Sequence, residues 1–342
     1  MRVAGRWTDS WRTVLGAAIG VGLLAAALGR TDLTEVWQYL AGARVELAFA
    51  AVPLVLANMV LRALRWTVLF QERARPRVGA AFSALMVGYL ANNVLPARAG
   101  DVLRAYVLGK REGTSKSAVL ATVLVERVSD LLALGLMLAA ATFVFPVPAW
   151  LRHSGLVVGA VAVGVLVVMI GVTVAQEPAL RLTARITRPL PGKMHLRLEL
   201  MLGGLIEGVS RLAQARAGSV FLVLTTLLWL SEIAIVWLMG QMLNLPLSML
   251  DGWIVMLFAA LGTMVPALPG QVGAFEFAVV AGMQALGYPG AGAVALAVCW
   301  HGMLLAVTSA VGAVCLARSG LSLSRATTEV AGAQGSGEAS GV

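Results

Sequence analysis

The chain has 342 residues, of which 59% are hydrophobic and only 13% are charged. Its mean hydropathy of +0.86 describes far more apolar surface than a soluble fold of this length could bury. This excludes a soluble globular protein and indicates a polytopic membrane protein. The net charge of +9 could suggest a nucleic-acid partner, but basic residues of membrane proteins collect in cytoplasmic loops and at anionic headgroups. We therefore expect no nucleic-acid binding.

Two apolar stretches open the chain. The first runs from Val14 to Leu28 behind three arginines, a pattern shared by cleaved signal peptides and uncleaved spans. We interpret it as a span, because the chain that follows is itself membrane-embedded. The second covers residues 46–69, and we expect the arginines near its end, Arg62 and Arg65, to extend to the cytoplasmic headgroups rather than bind substrate.

The stretch 79–109 begins and ends beside basic residues, so the positive-inside rule places both its flanks in the cytoplasm. About thirty residues, interrupted by Pro96 and Gly100, are too few for two crossings of roughly twenty residues each. The stretch is therefore predicted to be a re-entrant helical hairpin. Such a hairpin is tolerated only where protein or a wet cavity satisfies the broken backbone.

The rest of the chain follows a related pattern. Further spans are predicted over 117–145, 155–175, 218–243 and 290–316, and a second re-entrant hairpin over 251–287, where Pro266, Pro269 and Gly270 interrupt the apolar residues. The basic segment 176–216 contains leucines at helical spacing, which predicts an amphipathic helix on the inner membrane surface. The Gly- and Ser-rich stretch 318–342 predicts a disordered cytoplasmic tail.

These elements predict an all-α polytopic membrane protein with six full spans and two re-entrant helical hairpins in one membrane domain, residues 1–317. Its halves, about 14–145 and 155–316, start on opposite sides of the membrane, which makes an inverted-topology repeat. The segment 96–102 supports this, since four of its seven residues recur in register at 266–272. The excess of basic residues in inner segments puts both termini in the cytoplasm, and we expect the cell (plasma) membrane as the location.

Several polar residues fall at membrane depth, where an ionisable group costs about 2.5 to 3.5 kcal/mol on insertion scales. One interpretation is structural: Glu126 or Asp130 pairs with an arginine and locks the first hairpin in place. The other is functional: arginines on a broken element bind a lipid phosphate through planar bidentate donors, and carboxylates balance their charge. The candidate substrate-binding residues are Arg98, Asp101, Arg104, Glu126, Arg127, Asp130, Glu232, Gln271 and Glu276.

Enzymatic signals are weak. The sequence has no nucleophile elbow, phosphate-loop motif or metal-ligand cluster, so we expect no enzyme activity, no metal and no cofactor. Paired acidic residues in a lipid-facing cavity could still serve a membrane glycosyltransferase. His301 fits a hydrogen-bonded core histidine better than a proton relay.

Three groups of residues carry a resemblance to a known family: Asn93-x-x-Pro96-x-x-x-Gly100-Asp101-x-x-Arg104, Glu126-Arg127-x-x-Asp130, and Pro266-x-x-Pro269-Gly270-x-x-Gly273-x-x-Glu276. Together they resemble the lysylphosphatidylglycerol synthase transmembrane-region family, also called flippase-like domain proteins, over nearly the whole chain. Asp101 stands where the family pattern more often has glutamate. Since only a short tail follows Arg318, we expect no soluble aminoacyl-transferase domain and no synthase activity.

The resemblance implies movement of lipid between leaflets, because family members are associated with moving aminoacylated phosphatidylglycerol, and others are linked to glycolipid or polyprenyl-phosphate pathways. We therefore expect a lipid flippase for a phospholipid or a lipid-linked headgroup. A membrane glycosyltransferase, or an accessory or scaffold of a lipid-modifying enzyme, is the alternative. The expected partners are a membrane lipid and a lipid-modifying enzyme.

Overall fold

The structure is a computed structural model, and it describes residues 4–29, 31–95, 99–144, 149–189, 192–265 and 268–319. Every regular element in these ranges is helical, and no strand occurs among them. The α-helices are α1 (Ala4–Leu28), α2 (Leu33–Ala41), α3 (Val45–Val68), α4 (Val78–Val94), α5 (Ala99–Glu112), α6 (Lys116–Val144), α7 (Ala149–Val174), α8 (Gln176–Thr187), α9 (Gly192–Ala213), α10 (Ala215–Met242), α11 (Met249–Gly262), α12 (Ala274–Ala285) and α13 (Gly290–Ser319). The predicted all-α class is confirmed.

The multi-pass membrane character follows from helix length and apolarity. Within the described residues, α3, α10 and α13 are long and apolar enough to cross a membrane, and α1 with α2, bent by 81°, could form a fourth span. Helices α6 and α7 have 29 and 26 residues. Helix α6 carries Glu126, Arg127 and Asp130 along its length, and within α7 the apolar part Leu156–Met169 is shorter than a span. The count of six spans and the inverted repeat stay predictions.

Both predicted breaks separate two helices. The first hairpin is divided between α4 and α5, and the second between α11 and α12. Helices α11 and α12 pack closely, because Gly262 lies against Ala278 and Gly282 against Phe258. At the start of α11, Ser248 and Asp251 form a capping box.

Just beyond α12, Tyr288 ties the second hairpin together. Its hydroxyl lies 2.9 Å from the Asp251 carboxylate and 3.1 Å from the Pro246 carbonyl oxygen. Burial and the bond to Asp251 raise the pKa of Tyr288 to about 12. The phenol therefore remains a donor over the physiological pH range.

Three local expectations change. Helix α2 was not predicted, although Asp32 followed by Glu35 is an N-cap signal and the Asp32 side chain accepts from the Thr34 amide at 2.8 Å. The amphipathic segment contains two helices, α8 and α9, rather than one. Helix α13 ends at Ser319, so the first two residues of the predicted disordered tail are helical. Residues 320–342 lie outside the described residues.

The chain divides into two compact units. The first contains Met1–Met59, Tyr89–Gly100 and Leu227–Gly312, and the second contains Val60–Gly88, Asp101–Thr226 and Ala313–Val342. In the first unit, Asn58 of α3 donates to the Ser231 hydroxyl of α10 at 2.7 Å. In the second, Gly204 and Gly208 of α9 bring that helix against Ala121 and Val125 of α6. The prediction of a single membrane domain is not tested by this division.

Candidate functional site

Charged side chains of α5 and α6 meet in the second unit. Arg104 Nη1 donates to the two Glu126 carboxylate oxygens at 3.2 and 3.3 Å. Arg104 Nε lies 3.3 Å from Asp101 Oδ1, one turn earlier on the same helix face. Arg127 Nη2 donates to that Asp101 oxygen at 2.7 Å. Each carboxylate therefore compensates guanidinium charge that would otherwise be costly in this environment.

Arg65 of α3 completes the arrangement. Its Nη1 lies 2.6 Å from Asp130 Oδ1 and its Nη2 3.8 Å from Glu126 Oε1, while Arg127 Nη1 lies 3.8 Å from Asp130 Oδ2. Positive and negative groups thus alternate among these six residues, whose formal charges sum to zero, and Arg62 lies near enough to act on the charge of Asp130. We call this set the charge ring, and its members in order are Arg65, Glu126, Arg104, Asp101, Arg127 and Asp130.

The ring has an enclosed side and an open side. The side chains of Arg65, Arg104 and Glu126 are 0%, 1% and 2% exposed, whereas those of Asp130, Asp101 and Arg127 are 17%, 22% and 32% exposed. A ligand that approaches the ring can therefore reach Arg127 before the other two arginines.

Aromatic side chains cover the enclosed arginines. The Arg104 guanidinium carbon lies 5.0 Å from the Trp66 ring centroid, and that of Arg65 lies 5.4 Å from the Phe221 ring centroid. Both distances suit cation–π attraction. The Trp66 indole N–H is itself held by the Thr122 hydroxyl at 3.0 Å, which fixes the ring beside Arg104.

The structure corrects one expectation for this region. Arg65 does not extend to the headgroups, because its side chain is fully buried and paired with Asp130. The other proposed arginine of the first hairpin, Arg98, lies outside the described residues. Three carboxylates need three cations for charge balance, and Arg104 and Arg127 supply two of them. The sequence alone does not decide whether Arg65 or Arg98 is the third. The structural pairing of Glu126 with Arg104 is confirmed.

A second polar cluster lies in the first unit, at the break between α11 and α12. One Glu276 oxygen accepts from the Gly273 amide at 2.6 Å, and the other lies 2.6 Å from His301 Nδ1. His301 Nε2 lies 2.9 Å from the Gly270 carbonyl oxygen. We call Glu276 and His301 the carboxylate–imidazole pair and residues 270–273 the turn. The expectation of a hydrogen-bonded core histidine is confirmed.

The turn depends on its glycines. Gly270 and Gly273 have φ of +68° and +91°, values that side chains rarely permit. A Cβ at Gly273 would also collide with the Gly20 carbonyl oxygen of α1. Between them Gln271 has φ of +65°, a conformation that costs a non-glycine residue about 1 kcal/mol or more.

The end of α4 is anchored in the same unit. Asn93 donates to the hydroxyls of Thr308 and Ser309 on α13, both at 3.0 Å. The neighbouring Asn92 oxygen accepts from the Gly100 amide at 2.8 Å, which caps the first turn of α5 from across the break. Asn93 thus holds the end of α4 against α13, and Asn92 holds it to the start of α5.

The candidate residues therefore divide. Asp101, Arg104, Glu126, Arg127 and Asp130 meet in the charge ring. Gln271 belongs to the turn and Glu276 to the carboxylate–imidazole pair, and Glu232 lies half-buried on α10 in the first unit. Across the described residues, no group of three or more His, Cys, Asp or Glu side chains could hold a metal ion. Substrate binding by any of these residues stays a prediction.

The sequence of this chain matches a known family model. The model for the lysylphosphatidylglycerol synthase TM region matches residues 13–312, which include both clusters.

The chain is also similar to named proteins of two organisms. The chain is 30% identical to a protein of Haloferax volcanii named glycosyltransferase AglD, over 97% of this chain and 58% of the relative. It is 30% identical to a UPF0104 membrane protein of Methanothermobacter thermautotrophicus over 70% of this chain and 73% of that protein. The chain thus spans little more than half of the first relative. No solved structure matches the chain with significance.

Proposed function

This chain belongs to the lysylphosphatidylglycerol synthase transmembrane-region family, and on that premise we propose that it moves a phospholipid or a lipid-linked headgroup between the leaflets of the cell membrane. The observation that carries the proposal is the charge ring, whose most exposed cation is Arg127. A lipid phosphate that enters an apolar protein needs compensating positive charge, and arginine supplies it with paired planar donors.

The ring offers a way to bind and release that phosphate. Arg127 is shared between Asp101 at 2.7 Å and Asp130 at 3.8 Å. In our proposal a phosphate replaces these carboxylates on Arg127, while Asp101 keeps its contact with Arg104 and Asp130 keeps Arg65. The carboxylates return when the phosphate leaves. Arg127 has an anionic partner in both states, so its guanidinium is never left as a bare charge in a low dielectric.

This scheme assigns different roles to the arginines. Arg127 contacts the phosphate. Arg104 is 1% exposed and engaged with Glu126 and Asp101, so it holds the ring's geometry rather than meeting the lipid first. Arg98 remains a proposed second phosphate contact.

Reconstituted vesicles with a fluorescent phospholipid in both leaflets test the proposal, since a membrane-impermeant quencher reports exchange. Arg127→Gln should slow exchange about tenfold or more, because it removes a charge-assisted bond to phosphate. Arg127→Lys should retain part of the rate, since it keeps the charge but loses the bidentate geometry. Arg44→Gln, at a side chain 54% exposed, is the matched control and should exchange at the parent rate. Exchange by Arg127→Gln at the parent rate would remove the phosphate role.

A second candidate is a membrane glycosyltransferase, or an accessory or scaffold of a glycolipid or polyprenyl-phosphate pathway. The name of the Haloferax relative favours it. Incubating the purified protein with labelled nucleotide sugars and a polyprenyl phosphate separates the two candidates. Label transfer to the lipid would support the glycosyltransferase, whereas exchange without transfer would support the flippase.

A further inference from the structure

The carboxylate–imidazole pair contains a constraint on its protons. The Gly270 carbonyl oxygen can only accept, so the 2.9 Å contact requires a hydrogen on His301 Nε2. The 2.6 Å contact between Nδ1 and the Glu276 oxygen requires a second hydrogen between those atoms. This hydrogen belongs either to an imidazolium facing a carboxylate or to a carboxylic acid facing a neutral imidazole. Both forms contain the same number of protons and have no net charge.

Removing one proton breaks this arrangement. The deprotonated pair has one ring hydrogen for two contacts. With that hydrogen on Nε2, the Nδ1 lone pair faces the carboxylate, and with it on Nδ1, the Nε2 lone pair faces the Gly270 carbonyl oxygen. One contact becomes repulsive in either tautomer. The contacts at both nitrogens of the imidazole are thus satisfied only by the protonated pair.

The two contacts hold a strained backbone. Glu276 binds the Gly273 amide and His301 binds the Gly270 carbonyl, so the pair fastens both ends of the turn. The residues between include Gln271 at φ of +65°, which persists only where surrounding contacts impose it. Phe275 stacks on the imidazole at 4.3 Å between ring centroids and fixes the ring plane. Loss of either contact would therefore release the turn.

Few other titratable groups belong to the elements packed here. Within the described side chains, α1 carries no charged residue along Val14–Leu28, and α11 carries only Asp251, which is bound to Ser248 and Tyr288. Helix α13 carries Cys299, Cys315 and Arg318, and Tyr89 lies near the Asn93 end of α4. Glu276 and His301 are 10% and 7% exposed. Among the described side chains of these elements, Asp251 is the one carboxylate besides Glu276, and it is held by Ser248 and Tyr288.

We propose that Glu276 and His301 form a proton-binding site, and that binding or loss of this one proton fastens or releases the turn between α11 and α12. The proton comes from water and returns to it. Its use as a coupling ion for lipid movement rests on the proposed function, whereas the proton dependence of the turn does not. The turn is fastened at lower pH and released as pH rises.

A spin label next to the turn tests the site in the full-length protein. The label is attached at Val265→Cys, an exposed position just before the break, after Cys299 and Cys315 are changed to Ser. As the pH is raised from about 5 to about 9, the parent label should pass from ordered to mobile. A label at Gly302→Cys, where a side chain meets nothing within 4 Å, should not change.

Two variants make the test specific. Glu276→Gln mimics the protonated acid, because its NH2 group donates to Nδ1 and its oxygen accepts from the Gly273 amide; its label should stay ordered over the whole range. Asp251→Asn removes the other carboxylate of the same hairpin, in the first turn of α11, and should keep the parent profile. A parent label that does not respond to pH, or a Glu276→Gln label that still does, would overturn the proposal.

Lipid exchange in the same vesicles separates the two proposals. If exchange requires the proton cycle, Glu276→Gln should lose the acceleration that a pH gradient gives the parent. If the parent exchanges no lipid at any pH, the proposed function is wrong. The spin-label titration would still test the proton site, because it does not depend on lipid exchange. Equal acceleration of parent and Glu276→Gln would defeat the coupling.

Discussion

Arg104 illustrates how a single charged residue is retained among apolar helices. Its guanidinium contacts Glu126, Asp101 and the face of Trp66, and almost none of it is exposed. A buried ion pair adds little to the net stability of the fold, because desolvation of the two charges offsets their attraction. Removing one partner is nevertheless strongly destabilising, because the other charge is then buried alone. The enclosed side of the charge ring is therefore expected to be intolerant of single substitutions.

A double-mutant cycle measures this intolerance. Arg104→Gln or Glu126→Gln alone should lower the free energy of unfolding by about 3 to 5 kcal/mol, because each leaves a buried charge without its partner. The double variant should cost clearly less than the sum, measured by unfolding in mixed detergent micelles. Glu46→Gln, in a pair whose side chains are 54% and 70% exposed, should change stability by less than about 0.5 kcal/mol. Additive effects at Arg104 and Glu126 would mean that the two residues act independently.

The residue types of the ring could be predicted, but one of its members could not. Asp101, Arg104, Glu126, Arg127 and Asp130 stand out because ionisable residues are costly at membrane depth. Arg65 follows the same rule, yet its place near a helix end fits snorkelling equally well. Only the packing of α3 beside α6, which brings Arg65 to Asp130, decides between the two.

At the scale of elements, α9 shows what hydrophobic periodicity misses. Its leucines predict an amphipathic surface helix, and that location stays a prediction. Periodicity did not reveal the contact with α6, where Gly204 approaches Ala121 and Gly208 approaches Val125. Small residues four apart allow such close approach between membrane helices, so Gly204-x-x-x-Gly208 was the available signal. The helix breaks, in contrast, could be predicted because Pro and Gly interrupt long apolar runs.

Adjacent glycines of α9 give a paired test of this contact. A Cβ at Gly204 would lie 2.8 Å from the Ala121 Cβ, whereas a Cβ at Gly203 would meet nothing within 4 Å. Gly203→Ala should stabilise the protein by about 0.5 to 1 kcal/mol through helix propensity. Gly204→Ala gains the same propensity but should destabilise by about 1 to 3 kcal/mol through overpacking. Thermal unfolding in detergent compares them, and equal shifts would show that α9 does not need the close approach.

At the scale of the whole molecule, the membrane arrangement is argued from charge. Basic residues concentrate in the segments assigned to the inner side, and the helices between them agree with the predicted ranges. A re-entrant hairpin keeps both of its flanks on one side of the membrane, whereas a crossing puts them on opposite sides. That distinction has to be measured at the loops.

Single cysteines in a background without Cys299 and Cys315 provide the measurement. Gln71→Cys and Arg111→Cys flank the first hairpin at exposed positions, and both should be shielded from an impermeant thiol reagent added outside intact cells. Pro289→Cys, in the exposed connection between α12 and α13, should react. Reaction at Arg111→Cys but not at Gln71→Cys would show a full crossing and would remove the inverted repeat.

The zero formal charge of the ring has a consequence for the membrane potential. Electrical work on a moving charge amounts to about 2.3 kcal/mol per elementary charge per 100 mV. In the proposed function, the three arginines and three carboxylates of the ring contribute no net charge of their own, so moving these six groups together would do no electrical work. A bound monoanionic phosphate would leave one uncompensated negative charge, so the loaded ring would respond to voltage while the empty ring would not. Voltage would then act on the movement of the lipid-loaded ring and not on the return of the empty ring. Reversing the potential should therefore change which leaflet accumulates the lipid.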